Sequence, residues 1–304
     1  MASSSKTVVV AALVANAVIT ASKLVVGLLS GSAAMLAEAA HSFADCINQG
    51  FLLVSIGLGD RPADEEHPYG YGKERFFWAF LAALFIFVAG AVFSFYEGLH
   101  KAWHPEEAPH DLFWAYVVLA GSFVFDAAVL WIAVKAAVGQ ARAAGLPLRT
   151  FLRETSDTTL KTALYEDAAA TIGVVLAAVG LLLAQAGMPI FDGVASMAIG
   201  VVLVAVAIML GRESRRLLLG MAAPPRVRAR IRDAVTAVPE VHRVLTLLTM
   251  QLGPESLLVT AEISVQADLR TDQIEALLAR IRAAIRAAEP QVRNVYLELH
   301  PTPA

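Results

Sequence analysis

Long apolar segments separated by short polar connections fill the chain up to about residue 216. A membrane-spanning helix needs about 20 mostly apolar residues. Six segments meet this requirement: residues 7–29, 33–57, 77–99, 112–136, 160–186 and 189–211. The first is interpreted as a spanning helix and not as a removable signal, because no small-residue cleavage site precedes the second. An even number of spans predicts that both termini lie on the same side of the membrane.

The pattern changes after Arg216, so the sequence predicts a transmembrane domain over residues 1–216 and a cytoplasmic domain over 217–304. Apolar residues at helical spacing predict helices over 225–238 and 271–288. Two strands joined across Gly253-Pro254 are predicted in LTLLTMQLGPESLLVTAEISV, and a third in VRNVYLELH. The order α-β-β-α-β predicts a small ferredoxin-like α+β domain with its helices on one face of the sheet.

The composition agrees with a membrane protein that carries a smaller soluble part. Of the 304 residues, 57% are hydrophobic and 17% charged, and the mean hydropathy is +0.62, which is too apolar for an ordinary soluble domain. The net charge of −3 gives no reason to expect a nucleic-acid partner. A single cysteine, Cys46, excludes an internal disulfide framework and a cysteine-rich zinc module, since both need several thiols.

The basic residues are distributed unequally between the two sides of the predicted bundle. The connections at 30–32, 100–111 and 187–188 contain one basic residue, Lys101. The opposite side carries the remaining flanking basic residues, Lys6, Arg61, Lys73, Arg75, Arg142, Arg149, Arg153, Arg212, Arg215 and Arg216. The positive-inside rule therefore predicts that both termini are cytoplasmic. Because no transit-like leader rich in Arg and Ser precedes the first span, a bacterial inner membrane is expected.

Three ionisable residues interrupt the second predicted span, in the stretch AEAAHSFADCINQG at residues 37–50. Charged groups at bilayer depth cost at least about 2.5–3.5 kcal/mol each. Glu38, His41 and Asp45 recur at helical spacing, so they project into one wedge of the helix surface. Glu166 and Asp167 interrupt the fifth span in the same way. The two helices are therefore predicted to face each other across a polar site.

Carboxylates and an imidazole suit a borderline divalent ion such as Zn²⁺, and also Co²⁺, Fe²⁺ or Mn²⁺. A proton relay and interhelical hydrogen bonding are the alternative explanations of the same residues. Asn16, Asn48 and Asp126 are weaker candidates for the surroundings of the site. Asp192, at the start of the sixth span, is interpreted as an N-terminal acid or cap of its own helix.

Several motifs resemble those of the cation diffusion facilitator family, the solute-carrier group that includes the zinc transporters. HSFAD resembles the His-x-x-x-Asp motif of the family's second helix, and HPYGYGKER at residues 67–75 resembles the signature that enters the third. YEDAAATIGVVLAAVGLLL and DGVASMAIGVVLV resemble the fifth and sixth helices. The resemblance covers nearly the whole chain, including the number of spans and the C-terminal domain.

The resemblance implies a transported ion between the second and fifth helices, held by His41, Asp45 and Asp167. The family's fourth ligand position, four residues before Asp167, is Ala163 in this chain. Glu38, one turn before His41, or a water molecule could complete the ligand shell. Glu166 lies about 100° around the helix from Asp167 and is less well directed.

The resemblance implies zinc as the first candidate ion, with Mn²⁺, Fe²⁺, Co²⁺ and Cd²⁺ as further ones. It also implies a homodimer joined through the cytoplasmic domain, which would have a dimerisation or regulatory role. Two further metal sites of some relatives are only partly kept. One of these sites, at the connection between the second and third helices, would use Asp64, His67 and Tyr71, where tyrosine replaces a frequent histidine. The other, in the C-terminal domain, keeps only Glu298 and His300.

These observations predict a divalent-cation/proton antiporter that exports its ion from the cytoplasm. Imidazole and carboxylates bind metal when deprotonated, so protons and metal compete for the same groups. The ordinary histidine pKa near 6.5 places this competition in the physiological range. The rivals are a non-transporting membrane metal-binding or scaffold protein and a proton-coupled carrier of an organic cation. An enzyme is not expected, since no nucleophile and base adjoin an evident pocket.

Overall fold

The computed structural model describes residues 2–105, 112–155, 157–267 and 269–301, and the side chains within these ranges except those of residues 2–12, 15 and 301. Part of the predicted connection at 100–111, the side chain of Lys6 and the last residues of the predicted domain 217–304 lie outside them. The chain forms two compact units. Unit 1 comprises Met1–Gly57, Phe77–Arg153 and Asp157–Arg215, and unit 2 comprises Leu58–Phe76, Glu154–Ser156 and Arg216–Ala304.

Unit 1 is helical. Its elements are α1 (Ala2–Ser30), α2 (Ala33–Gly59), α3 (Glu74–Trp103), α4 (Phe113–Ala143), α5 (Leu148–Glu154), α6 (Thr158–Gln185) and α7 (Ile190–Leu218). The last residues of α2, α5 and α7 and the first of α3 are counted in unit 2. Within α3, Ile86–Val92 form a π-helical stretch. The second and fifth predicted spans are thus α2 and α6. The short helix α5 was not predicted from the sequence.

Among the described residues, four helices are long and apolar enough to cross a membrane: α3, α4, α6 and α7. In α1 the stretch Asn16–Ser30, over which the side chains are described, is apolar but shorter than these four. Large apolar side chains point outward from this unit, for example Leu29, Val124 and Trp131, which are 81%, 68% and 69% exposed. Since such a surface is stable in lipid and not in water, the chain is an integral membrane protein.

Backbones of α3 and α7 approach each other closely at glycines. A Cβ on Gly98 would lie 2.5 Å from the carbonyl oxygen of Gly193, and one on Gly193 would lie 2.6 Å from that of Gly98. Beside them the Ser196 hydroxyl donates a hydrogen bond of 2.7 Å to the Ser94 carbonyl. Membrane helices pack in this way because lipid offers no hydrophobic drive, so close backbone contact and hydrogen bonds have to supply the attraction.

Unit 2 contains the elements α8 (Pro225–Thr236), β1 (Val241–Gly253), β2 (Ser256–Val265), α9 (Thr271–Ala288) and β3 (Val292–Pro301). The sheet order is β1-β2-β3, with β1 antiparallel and β3 parallel to β2. Ile231 of α8 and Ile281 of α9 are fully buried against the core that includes Val259 and Ile263 of β2. The predicted helix and strand order of an α+β domain is therefore confirmed.

The connection between α2 and α3 also belongs to unit 2. A Cβ on Gly72 would lie 2.5 Å from the carbonyl oxygen of Leu252, so the bare glycine lets the connection contact β1. The rings of Tyr69 and Tyr296 lie edge to face with their centroids 6.5 Å apart. The predicted division of the chain at residue 216 assigned this segment to the transmembrane domain, because a contact so distant in sequence leaves no local signal.

Candidate metal site between the helices

The polar stripes of α2 and α6 face each other. The amide nitrogen Nδ2 of Asn48 donates a 2.5 Å hydrogen bond to Oε2 of Glu166. Two turns further along α6, a Cβ on Gly173 would clash with Oε1 of Glu38, so glycine makes room there for the Glu38 carboxylate. The first contact joins the two helices directly, and the second shows that the Glu38 side chain reaches the backbone of α6.

A cavity of about 70 Å³ lies between the helices and collects four carboxylates. Asp45 of α2, Asp126 of α4, and Glu166 and Asp167 of α6 all line it. The other polar residues of its lining are Asn16, Ser42 and Gln49. Three of the five residues predicted to bind metal thus share one space, together with an acid from α4 that the sequence indicated only weakly.

His41 and Glu38 are not among the residues that line this cavity. The His41 ring is 1% exposed, and its Nδ1 lies 3.6 Å from Oδ1 of Asp45, which is beyond hydrogen-bonding distance. Neither ring nitrogen has a hydrogen-bond partner among the described residues. His41 is thus placed beside a carboxylate of the cavity, with both nitrogens available.

Glu38 is engaged by a cation that sequence reasoning missed. Lys23 of α1, 1% exposed, donates hydrogen bonds of 2.9 Å to Oε2 of Glu38 and of 2.9 Å to Oγ of Ser42. Lys23 lies inside the first predicted span, and the cost of a charge at that depth would have singled it out. A buried lysine needs an anionic partner, and the acids of the second predicted span are the nearest candidates along the chain.

The four acids surround the cavity without forming a coordination shell. Within the described ranges of the chain, no three His, Cys, Asp or Glu side chains come close enough together to hold a metal ion. Oε1 of Glu166, whose side chain is largely buried, has no hydrogen-bond partner among the described residues, and Oδ1 of Asp45 has none either. The arrangement thus offers carboxylate oxygens that lack hydrogen-bond partners in the described part of the chain.

Asp192 caps a helix other than its own. It lies in the first turn of α7, as predicted, but its carboxylate accepts hydrogen bonds from the Ser32 hydroxyl at 2.6 Å and from the backbone N–H groups of Ala33 at 2.7 Å and Ala34 at 3.2 Å. These groups form the N-terminus of α2, so the interpretation of Asp192 as a cap of α7 is corrected. An anion at this position accepts hydrogen bonds from N–H groups that lack partners within the helix, and it is attracted to the partial positive charge at the helix N-terminus.

We expect Asp192→Ala to destabilise the protein by about 1–3 kcal/mol, because α2 loses a buried charged acceptor of three hydrogen bonds. The measurement is thermal unfolding of the full chain in detergent. Asp192→Asn is the matched control and should lose less, since its carbonyl oxygen keeps part of the cap. Equal melting temperatures for the Ala variant and the unmodified chain would contradict this role.

The two further metal sites suggested by sequence contain small polar clusters in unit 2. The Tyr71 hydroxyl donates a 2.6 Å hydrogen bond to Oδ2 of Asp64, and the His67 ring packs on that of Tyr71 with centroids 4.2 Å apart. The Tyr71 hydroxyl holds the pKa of Asp64 below its ordinary value. Nε2 of His300 lies 3.5 Å from Oε1 of Glu298. Each cluster offers at most two strong ligands, fewer than a structural zinc site uses.

Comparison with known proteins assigns the two parts of the chain separately. The family model for the cation efflux transmembrane domain matches residues 9–219, and that for the cytoplasmic domain of cation efflux proteins matches residues 223–302. The chain is 31% identical over 289 residues to the mitochondrial proton-coupled zinc antiporter SLC30A9 of Xenopus laevis, covering 93% of this chain and 51% of that protein.

Metal tolerance protein C4 of Arabidopsis thaliana is 30% identical over 260 residues, which are 85% of this chain and 57% of that protein. The chain thus spans about half the length of these two relatives. The magnetosome protein MamB of Magnetospira is 25% identical over 93% of this chain and 90% of its own. Among solved structures, a nickel form of the MamM C-terminal domain has 19% identity and a TM-score of 0.25, covering 26% of this chain and all of that one.

Proposed function

Because the chain belongs to the cation efflux family, we propose that it carries a divalent metal cation, with zinc the first candidate, across the membrane in exchange for protons. The observation that carries this proposal is the cavity lined by α1, α2, α4 and α6, with its four carboxylates. Relatives named as proton-coupled zinc antiporters support both the ion and the coupling. Mn²⁺, Fe²⁺, Co²⁺ and Cd²⁺ are the other candidate cargoes.

We propose that Asp45 and Asp167 provide the first ligands, with the nearby His41 turning to add a nitrogen. Asp45 adjoins both His41 and the cavity, which makes it the link between them. Glu166 is the better placed of the two additional acids, because it lines the cavity and its Oε1 has no hydrogen-bond partner among the described residues. Glu38 has a close ion pair with Lys23 and would have to leave it in order to bind metal.

Proton coupling follows from the chemistry of these ligands. Carboxylates and imidazole bind a metal ion in their deprotonated forms, so each binding event displaces protons and each protonation favours release. If the far side of the membrane is more acidic than the cytoplasm, release occurs there and the direction is export. An alternating-access movement of the bundle would expose the same cavity to each side in turn.

We further propose the finer architecture that the sequence predicts. It consists of six spans, cytoplasmic termini in a bacterial inner membrane, and a division into 1–216 and 217–304 with a ferredoxin-like second domain. The end of the first matched family model at residue 219 and the start of the second at residue 223 support a division near that point. The second match is to the cytoplasmic domain of the family and carries the name of a dimerisation domain, which supports a homodimer.

The test is ion exchange by the full chain in proteoliposomes with a pH gradient and entrapped fluorescent metal and pH indicators. Zn²⁺, Mn²⁺, Fe²⁺, Co²⁺ and Cd²⁺ are supplied in turn. We expect zinc entry coupled to proton movement in the opposite direction, with smaller fluxes of the other ions. Zinc binding measured by calorimetry without any flux would contradict transport and favour the non-transporting metal-binding alternative.

A further inference from the structure

Asp126 is the acid of the cavity that the metal-binding motifs do not account for. It lies on α4, whereas the predicted ligands come from α2 and α6. Its side chain is 13% exposed and lines the same cavity as Asp45 and Asp167. A carboxylate at this depth in the helical unit needs a compensating interaction, since burying an unpaired charge is costly.

Lys23 provides that interaction incompletely. Its ammonium nitrogen is already committed to Glu38 and Ser42 at 2.9 Å each, and it lies 4.0 Å from Oδ2 of Asp126, beyond hydrogen-bonding distance. Within the described residues, Oδ2 of Asp126 has no hydrogen-bond partner. Asp126 is therefore held near Lys23 by charge alone and can turn toward the cavity without breaking a hydrogen bond at Oδ2.

The opposite wall of the cavity independently indicates a missing cationic partner. The Glu166 side chain is 8% exposed, and Asn48 satisfies its Oε2 while Oε1 has no hydrogen-bond partner among the described residues. In the described part of the chain, the basic groups within 4.0 Å of the four acids are Lys23, near Asp126, and His41, near Asp45. A divalent cation would balance the acids that these two groups leave uncompensated.

We propose that Asp126 is a further ligand of the transported ion, contributed by α4. The carboxylate would add a ligand that the α6 sequence, with Ala163 four residues before Asp167, does not supply, and the ion would then contact three helices, α2, α4 and α6. The proposal rests on the proposed transport function. It gives Lys23 a second role besides its ion pair with Glu38. Lys23 keeps Asp126 at the edge of the cavity by charge, without a hydrogen bond that the ion would have to break.

Zinc binding to the purified full chain in detergent tests this assignment. Asp126→Asn keeps the size of the side chain and removes its charge. Loss of a ligand should raise the Kd for zinc at least about tenfold, since even changes next to metal ligands cost about 10–100-fold. X-ray absorption of the bound zinc should show one oxygen ligand fewer. Glu97→Gln, an acid of α3 outside the cavity lining, is the matched control and should bind as the unmodified chain does.

A second background separates a ligand from a mere partner of Lys23. In Lys23→Met/Glu38→Met the ion pair is absent, and adding Asp126→Asn should again raise the Kd at least about tenfold. An unchanged Kd and zinc spectrum upon Asp126→Asn in the Lys23→Met/Glu38→Met background would overturn the proposal, whether or not the Kd changes in the unmodified background. Failure of the proposed function gives a different result, since the unmodified chain would then bind zinc without flux while the effect of Asp126→Asn on the Kd persisted.

Discussion

Asp45→Ala and Asp167→Ala are each expected to abolish zinc-driven proton movement in proteoliposomes. Each substitution removes a carboxylate from the cavity between α2 and α6 and leaves a site with too few anionic oxygens to replace the hydration of a divalent ion. We expect the flux to fall at least about 100-fold, because removal of a ligand should exceed the effect of changing its surroundings. The measurement is the initial rate of proton efflux after addition of zinc.

Glu97→Gln serves as the control for these variants, because it removes an acid of the helical unit that does not line the cavity. Its flux should equal that of the unmodified chain. Equal reconstitution of all variants has to be shown by the amount of protein recovered in the vesicles. Undiminished flux in both Asp45→Ala and Asp167→Ala would remove this cavity from the transport mechanism.

Lys23→Met is expected to lower the free energy of unfolding by about 3–5 kcal/mol, the range found when one partner of a buried ion pair is removed. Lys23 and Glu38 are 1% and 0% exposed, so the substitution leaves the Glu38 carboxylate buried without its cation. The Gly173 backbone adjoins the other carboxylate oxygen and offers no replacement charge. Thermal or denaturant unfolding of the full chain in detergent measures the change.

The double variant Lys23→Met/Glu38→Met decides how the loss arises. Replacing both partners with apolar side chains of similar length should restore most of the stability, because neither charge remains buried alone. Lys135→Met, which removes an exposed lysine of α4, controls for loss of a positive charge in general and should leave stability nearly unchanged. If Lys23→Met unfolds at the same temperature as Lys135→Met, the ion pair contributes nothing to stability.

These two expectations divide the polar stripe of α2 into two functions. Glu38 faces Lys23 and Gly173, where its charge is matched and its space is fixed. Asp45, two turns further along the helix, lines the cavity with oxygen Oδ1 lacking a hydrogen-bond partner in the described part of the chain. One helical face therefore carries a stabilising ion pair and a residue proposed to bind the ion, separated by the imidazole of His41.

The sequence was sufficient to predict the elements of the structure, except the short helix α5, and the two helices that face each other. Apolar runs of span length, and apolar residues at helical or strand spacing, depend on local chemistry that each segment carries by itself. Ionisable residues inside two predicted spans then marked α2 and α6 as the helices of the polar site, because each such residue is costly in lipid whatever its partner is. The same cost applied to Lys23 would have added α1.

The length of one helix and the place of one connection became visible only in the structure. The predicted span at 112–136 corresponds to α4, which continues to Ala143, because small and charged residues beyond an apolar run can extend a helix out of the lipid. The segment Leu58–Phe76 belongs to the same compact unit as the C-terminal sheet. Close packing of Gly72 on Leu252 creates this arrangement, and their separation in sequence conceals it.

Which partner each polar group takes was decided by the tertiary structure alone. The carboxylate of Asp192 could cap its own helix by position, yet it accepts hydrogen bonds from the start of α2. Glu38 and Glu166 could be compared from the sequence only by their angles on single helices, whereas in the structure Lys23 pairs with Glu38 and Glu166 lines the cavity. A sequence specifies which groups need a partner, and only packing of helices distant in the chain determines which partner is within reach.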